Sequence, residues 1–194
     1  MTSEQLNNIN RIANAAVSCE RDSGCPAELS AAQCILESAW LTRAPGNNCF
    51  GIKSTDRDPG AHYSITKEFL NGEWQTKRLA FAVYPTLADC FRDHARLIMT
   101  GCYAPAWRLY RQDQDLAALT AGVAVHYATD PGYGPKILSI AREHLVVSAI
   151  AETRNAQSPA IRPPDRNLAL SGNHAGAGLG KEQIRQTPPP MMPR

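Results

Sequence analysis

The segment from residue 29 to 42, LSAAQCILESAWLT, restricts the fold of this chain more than any other. It reads as a helix and carries a single charge, that of Glu37. Ser30, Gln33 and Glu37 fall at i, i+3 and i+7, so they form one narrow polar stripe among apolar and small residues. Such a helix is predicted to be largely buried, with the stripe facing either a cleft or buried polar partners.

Patterning elsewhere predicts a mostly helical α+β domain with one small sheet. Helices are predicted over 3–20 and 26–41, followed by a loop over 42–62. Two alternating runs, 62–69 and 74–84, flank Asn71-Gly72, a pair that favours a tight hairpin turn. Three more helices are predicted: one over 87–101 with Thr86 and Asp89 as a capping box, one capped by Asp113, and one over 133–151.

The composition changes near residue 152. Seven of the fourteen prolines and four glycines lie in 152–194, which favours an extended, solvated chain. We therefore predict one folded domain over 1–151 and a disordered tail over 152–194. The tail has a net charge of +3 and the remainder −1, so the body is not a basic surface for nucleic acid.

The sequence shows no membrane or export signal. No apolar run approaches the roughly 20 residues that span a bilayer. The N-terminus has no basic region followed by an apolar one, so the protein is predicted to be made in the cytosol without a signal peptide.

The six cysteines, Cys19, Cys25, Cys34, Cys49, Cys90 and Cys102, form no CxxC pair, and no histidine pattern completes a zinc site. No metal and no cofactor are predicted. The thiols are expected to be reduced and partly buried. Cys19–Cys25 and Cys90–Cys102 are the disulfides to test first, because each pair brackets a helix end.

Two interpretations of Glu37 follow from the residues alone. It pairs with an arginine such as Arg43 or Arg96 in a structural role, or it is a general acid. In the second case, walls formed by Leu36 and Trp40 desolvate the carboxylate and raise its pKa. The residues alone leave both interpretations open.

The segment 25–53 resembles the glucosaminidase domain of glycoside hydrolase family 73. The matching motifs are Ala32-Gln33, Glu37-Ser38, Asn48 and Phe50-Gly51-Ile52-Lys53, then the TKEFLNGEW hairpin, and YATDPGY at 127–133. The resemblance spans about residues 3–150 and implies a lysozyme-like fold. Ala39 and Leu41 depart from it, because the family has glycine at both positions, and Cys49 replaces an apolar residue.

The resemblance implies an endo-β-N-acetylglucosaminidase that cleaves the glycan strands of peptidoglycan, as a monomer and without a cofactor. It assigns the general acid to Glu37 and a second carboxylate, the base or helper, to Glu68. The positions expected to contact substrate are Gln33, Asn48, Phe50, Tyr127 and Tyr133. His94 is expected to be structural, and Asp130 to cap a helix.

Several alternatives stay open. A muramidase or lytic transglycosylase uses the same type of helix and would not need Glu68, and a non-catalytic wall-binding module would need neither carboxylate. Inverting, retaining and substrate-assisted mechanisms are all compatible with the sequence. The protein is expected to act on the cell wall or periplasm after release or delivery, as a phage-type lysin or a secreted effector.

Overall fold

The computed structural model describes residues 2–54, 60–70 and 73–158, with the backbone alone for residues 66–70 and 74. This part of the chain contains seven α-helices and one two-stranded antiparallel sheet, which confirms the predicted fold class. The elements are α1 Ser3–Ser23, α2 Ala27–Ser38, β1 His62–Leu70, β2 Glu73–Phe81, α3 Leu87–Met99, α4 Ala104–Asp113, α5 Leu116–Tyr127, α6 Tyr133–Ala141 and α7 His144–Gln157.

Helix α2 lies between two parts of the hydrophobic core. Ala31, Cys34 and Ile35 belong to a cluster with residues of α1, α3 and α7. Leu29 and Ala32 belong to a second cluster with residues of α4, α5 and α6. The predicted burial of this helix is confirmed, because apolar elements cover it on both sides.

The hairpin is fastened to the loop that follows α2. Its register runs from His62 opposite Phe81 to Leu70 opposite Glu73. Lys53 forms a bridge with Phe81, and the N–H of Ala82 donates to the carbonyl of Ile52. The predicted Asn71-Gly72 turn lies outside the described residues.

The predicted helices differ from the observed ones in three places. Helix α4 was not foreseen, because of its residues only Trp107 is buried, which leaves a weak periodic signal. The N-cap of α5 is Asp115, which accepts from Ala117 and Ala118, and not Asp113. The helix expected over 133–151 is two helices with a break at Arg142 and Glu143.

Helix α7 continues to Gln157, six residues beyond the expected domain end at 151. Arg154 explains the extension, because its guanidinium binds two carboxylates from the start of the chain. It donates to Glu20 at 2.6 and 2.8 Å and to Glu28 at 2.7 and 3.0 Å. The predicted tail from 159 onward lies outside the described residues. Within the described part, no helix is long and apolar enough to cross a membrane.

Candidate active site

Glu37 lies at the solvent end of the polar stripe on α2. Ser30 and Gln33 are fully buried, at 1% and 0% exposure, whereas Glu37 is exposed. The carboxylate therefore sits where a buried helix reaches the surface. The stripe therefore meets both of the surroundings predicted for it: Ser30 and Gln33 face buried partners, and Glu37 faces solvent.

A chain of two hydrogen bonds holds the Glu37 carboxylate. Gln33 Nε2 donates to Tyr133 Oη at 3.0 Å, and Tyr133 Oη donates to Glu37 Oε1 at 2.9 Å. Tyr133 is 5% exposed and is the first residue of α6. Gln33 and Tyr133 therefore position the carboxylate from the buried side. Both residues were expected to contact substrate.

Two opposing effects act on the protonation of Glu37. Desolvation by the surrounding protein raises the pKa of its carboxyl group, and the hydrogen bond from Tyr133 lowers it. Desolvation is the larger effect, so the pKa lies above its ordinary value. The exposure of Glu37 to solvent limits this rise.

Two kinds of neighbour were expected for Glu37, the apolar side chains of Leu36 and Trp40 and an arginine partner. Leu36 and Trp40 line an apolar pocket with residues of α6 and α7. Glu37 forms no ion pair within the described part of the chain, with Arg43, Arg96 or any other residue. The structural interpretation of Glu37, as the partner of an arginine in an ion pair, is therefore wrong for the described residues.

Helix α2 ends directly after Glu37 in three left-handed residues. Ala39, Trp40 and Leu41 have φ angles of 49°, 63° and 64°. Ser38 supports this turn, because its hydroxyl accepts from the N–H of Leu41 and donates to the carbonyl of Cys34. Glycine adopts positive φ without strain, so this conformation fits the glycines that the resemblance led us to expect at positions 39 and 41.

The loop after α2 is braced by Asn48 and Phe50 from within. Asn48 is 5% exposed, and its amide bonds the backbone of Ile52 and Ala82 at 2.8 to 3.0 Å. The Phe50 side chain is 4% exposed and stacks on His94 with ring centroids 3.8 Å apart. Both residues were expected to touch substrate, but their side chains face the protein because they hold the loop.

Tyr127 joins this loop to the carboxylate. Its hydroxyl donates to the carbonyl of Phe50 at 3.3 Å, and its ring stacks on that of Tyr133 at 5.5 Å. It is half-buried at the end of α5, where a turn leads to α6. Asp130 braces this turn, because its carboxylate accepts from the N–H of Gly132 at 2.8 Å, but the helix cap expected of it is wrong, since Gly132 is the N-cap of α6 and no side chain caps that helix.

His94 lies beneath the loop, fully buried against Phe50. Neither ring nitrogen has a hydrogen-bond partner within the described residues. Burial lowers the pKa of His94 to about 3, so the imidazole is neutral at ordinary pH. This agrees with the structural role that the sequence indicated.

Glu68 lies on β1 opposite Gln75. For Glu68 the structure describes the backbone and this register position alone. The separation of the two carboxylates, which would distinguish the mechanisms, lies outside the described side chains.

The cysteines are free, five of them buried and Cys102 exposed. Neither of the two candidate disulfides is formed, in agreement with the expected reduced thiols: Cys19 donates to the carbonyl of Phe91, and Cys25 contacts Ser30. No cluster of three metal-binding side chains occurs in the part of the chain that the structure describes.

Known proteins similar to this chain share the region that carries Glu37. The family model for glucosaminidases, described as mannosyl-glycoprotein endo-beta-N-acetylglucosaminidase, matches residues 13–146. The chain is 36% identical to a probable N-acetylmuramidase of Lactococcus lactis subsp. lactis, over 70% of this chain and 33% of that protein. It is 34% identical to the exo-glucosaminidase LytG of Bacillus subtilis, over 73% of this chain and 50% of that protein.

Several solved structures have the same fold. The catalytic domain of the autolysin Auto from Listeria monocytogenes superposes with a TM-score of 0.63 at 26% identity, covering 79% of this chain and 88% of that domain. The chain spans between a third and a half of the length of the two curated relatives. Because the family model covers more than half of its residues, the chain belongs to the glucosaminidase family of glycoside hydrolases, family 73.

Proposed function

We propose that this protein is a peptidoglycan hydrolase of the endo-β-N-acetylglucosaminidase type, with Glu37 as the general acid. The observation that carries the proposal is the geometry of Glu37: a carboxyl group at the solvent end of a buried helix, held by Tyr133 and desolvated enough to raise its pKa. A glycosidase acid has to stay protonated until it donates to the leaving oxygen, and a raised pKa favours that state.

The hydrogen bond from Tyr133 also decides which oxygen donates. Tyr133 Oη donates its hydrogen to Glu37 Oε1 and itself accepts a hydrogen bond from Gln33 Nε2. The acid proton is therefore proposed to be carried on Oε2, which has no hydrogen-bond partner among the described residues. In this mechanism Gln33 and Tyr133 orient the acid and do not themselves react with substrate.

Glu68 is proposed as the second carboxylate, which activates water or assists at the opposite face of the sugar. Its support is its place on β1, opposite Gln75, in a hairpin that is joined to the loop after α2. An N-acetylglucosamine substrate also offers its own 2-acetamido oxygen as a nucleophile, in which case Glu68 would only assist.

Replacing Glu37 with glutamine tests the acid. Glu37→Gln is expected to lower the rate of lysis of purified cell walls by about 10²–10⁴-fold, because glutamine cannot donate the proton. Its thermal unfolding and its sedimentation with walls should match the wild type, since the exposed side chain keeps its shape. Lysis at a near-normal rate by this variant would refute the assignment.

Glu68→Gln, compared with Glu73→Gln, tests the second carboxylate. Glu73 is an exposed carboxylate on β2, two register pairs nearer to the turn, so it controls for a change of charge on the hairpin. Loss of activity in Glu68→Gln alone supports the role of Glu68. NMR of the first anomer released separates the mechanisms, because inversion and retention give opposite anomers.

A muramidase is the second candidate, and the name of the Lactococcus lactis relative favours it. Mass spectrometry of digested glycan decides between the two. Reducing N-acetylglucosamine ends support the proposal, reducing muramic ends support the muramidase, and anhydro-muramic ends support a lytic transglycosylase. Sedimentation with walls without any soluble product would instead indicate a wall-binding module.

A further inference from the structure

Two buried thiols touch at the base of the hairpin. Cys49 Sγ lies 3.8 Å from Cys90 Sγ, and the two residues are 1% and 0% exposed. Cys49 belongs to the loop braced by Asn48 and Phe50, and Cys90 lies in the first turns of α3. The segment between them contains both strands of the hairpin, so a covalent bond here would close that lobe at its base.

The surroundings of the two sulfur atoms differ in a way that suits thiol exchange. A hydrogen bond from the Cys49 thiol, and then the backbone N–H groups of Cys49 and Phe50, lower the pKa of Cys90. Burial raises the pKa of the Cys49 thiol. Cys90 is therefore the better thiolate and the first nucleophile, because exchange begins with attack by a thiolate on a disulfide sulfur.

We propose that Cys49 and Cys90 are a dithiol site that a small-molecule disulfide oxidises to a disulfide. The Cys90 thiolate attacks the oxidant, forms a mixed disulfide and releases one small thiolate. The Cys49 sulfur then gives up its proton, attacks Cys90 Sγ and displaces the second small thiolate. The protein loses two hydrogen atoms, and the oxidant is reduced to two thiols.

The bond requires a short approach of the sulfur atoms, from 3.8 Å to about 2.05 Å. Because both thiols are buried, the oxidant reaches them only when the loop after α2 opens locally. Oxidation is therefore slow in the native protein and faster in a low concentration of urea that opens the loop without unfolding the chain. Compartments outside the cytosol are oxidising, so the proposed action at the cell wall would expose the site to such conditions.

The closed bond is expected to stabilise the loop and the hairpin together. It joins residues 41 positions apart and so removes many conformations from the unfolded chain. For a chain of this size, a typical disulfide raises the melting temperature by about 5–10 °C.

Cys34 is the competing partner, since its thiol also adjoins that of Cys49. Its sulfur is close to the Ser38 hydroxyl, at 3.9 Å, in the turn that ends α2. Cys102 is exposed and serves as a matched control for reaction of an accessible thiol with the same oxidant.

The test is a peptide map of the full chain after incubation with oxidised glutathione in low urea, alkylation of free thiols and digestion without reduction. The expected result is a peptide pair that joins residues 49 and 90, in the wild type, Cys34→Ala and Cys102→Ala, and not in Cys90→Ala. The melting temperature should rise on oxidation in all but Cys90→Ala.

Two results would overturn the proposal: a pair that joins residues 34 and 49, or full alkylation of Cys49 and Cys90 after oxidation. Because the map of the wild type reads the bond directly, it does not depend on any variant folding. It is also independent of catalysis, so a protein without lytic activity can still confirm the dithiol site.

Discussion

At the scale of single residues, the protonation of Glu37 depends on its contact with Tyr133. The hydroxyl of Tyr133 donates to the carboxylate and stabilises its charged form. Desolvation opposes this and favours the neutral acid. For the proposed acid, the pH range of activity is therefore expected to depend on Tyr133 as well as on Glu37 itself.

Tyr133→Phe is expected to move the alkaline limit of kcat/KM to higher pH. Removing the donor removes the effect that lowers the pKa of Glu37, so the acid stays protonated at higher pH. The measurement is the pH profile of kcat/KM for a soluble glycan substrate. Tyr127→Phe is the matched control, because its hydroxyl donates to the carbonyl of Phe50 and not to Glu37. Its alkaline limit should stay in place, whatever its effect on the rate, and a shift of equal size in both variants would contradict the assignment.

His94 should make the fold sensitive to acid. The pKa of His94 is about 3 in the folded chain, against an ordinary value of 6.5, so the unfolded chain binds a proton that the folded one excludes. Stability from this group is fully present above pH 6.5 and is lost as the pH falls toward 3, by at most about 1.4 kcal/mol per pH unit.

His94→Leu, of similar volume, tests this by removing the titrating group. The free energy of unfolding of the variant, measured by urea titration, should gain on the wild type as the pH falls from 6.5. At pH 7 and above the difference should stay constant. Parallel curves over the acid range would show that His94 does not contribute.

At the scale of elements, the end of α2 is strained where it presents Glu37. Three consecutive residues without glycine occupy the left-handed region. Such a conformation costs about 1 kcal/mol or more at each residue with a Cβ atom. The turn persists because Trp40 and Leu41 pack against the core and Asn8 donates to the carbonyl of Trp40 at 2.8 Å.

Ala39→Gly is expected to stabilise the protein by about 0.5–1 kcal/mol, because glycine adopts a φ of 49° without strain and little side-chain packing is lost. Thermal unfolding should show a melting temperature higher by about 2–4 °C. Gly24→Ala is the opposite control, since Gly24 ends α1 with a φ of 80°, and it should destabilise by a similar amount. A lower melting temperature for Ala39→Gly would show that the turn is not strained.

At the scale of the whole domain, Arg154 connects the two ends of the folded chain. Its guanidinium on α7 bonds Glu20 of α1 and Glu28 of α2, and all three side chains are partly shielded from water. Glu20 also accepts from the N–H of Ala27 at the start of α2. The helix that carries Glu37 is thus tied at its first turn to both α1 and α7.

A chain that ends at residue 158 should therefore unfold at the same temperature as the full chain, whereas a chain that ends at 151 should lose about 1–3 kcal/mol. Charge-assisted bidentate hydrogen bonds have this magnitude when partly buried. Arg154→Met in the full chain separates the lost ion pairs from the lost helical turns. Equal stability of the two truncated chains would place the domain end at 151.

The fold class and the position of Glu37 could be predicted because both depend on local pattern. The near-absence of charge in α2, the alternating runs of the hairpin and the Thr86 capping box act over a few residues, and the structure confirms them. Helix α4 and the break between α6 and α7 could not be predicted. The first has one buried residue, and no glycine or proline marks the second, so long-range packing decides both.

The sequence by itself determined that the segment 29–42, with Glu37 as its single charge, would be largely buried, because apolar surface must leave water wherever the chain folds. Only the tertiary structure decided what that carboxylate meets. Tyr133 lies 96 residues away in sequence, and no local pattern encodes its contact with Glu37. The packing of α6 on α2 forms the pair and so positions the proposed acid, while desolvation by the folded chain raises its pKa.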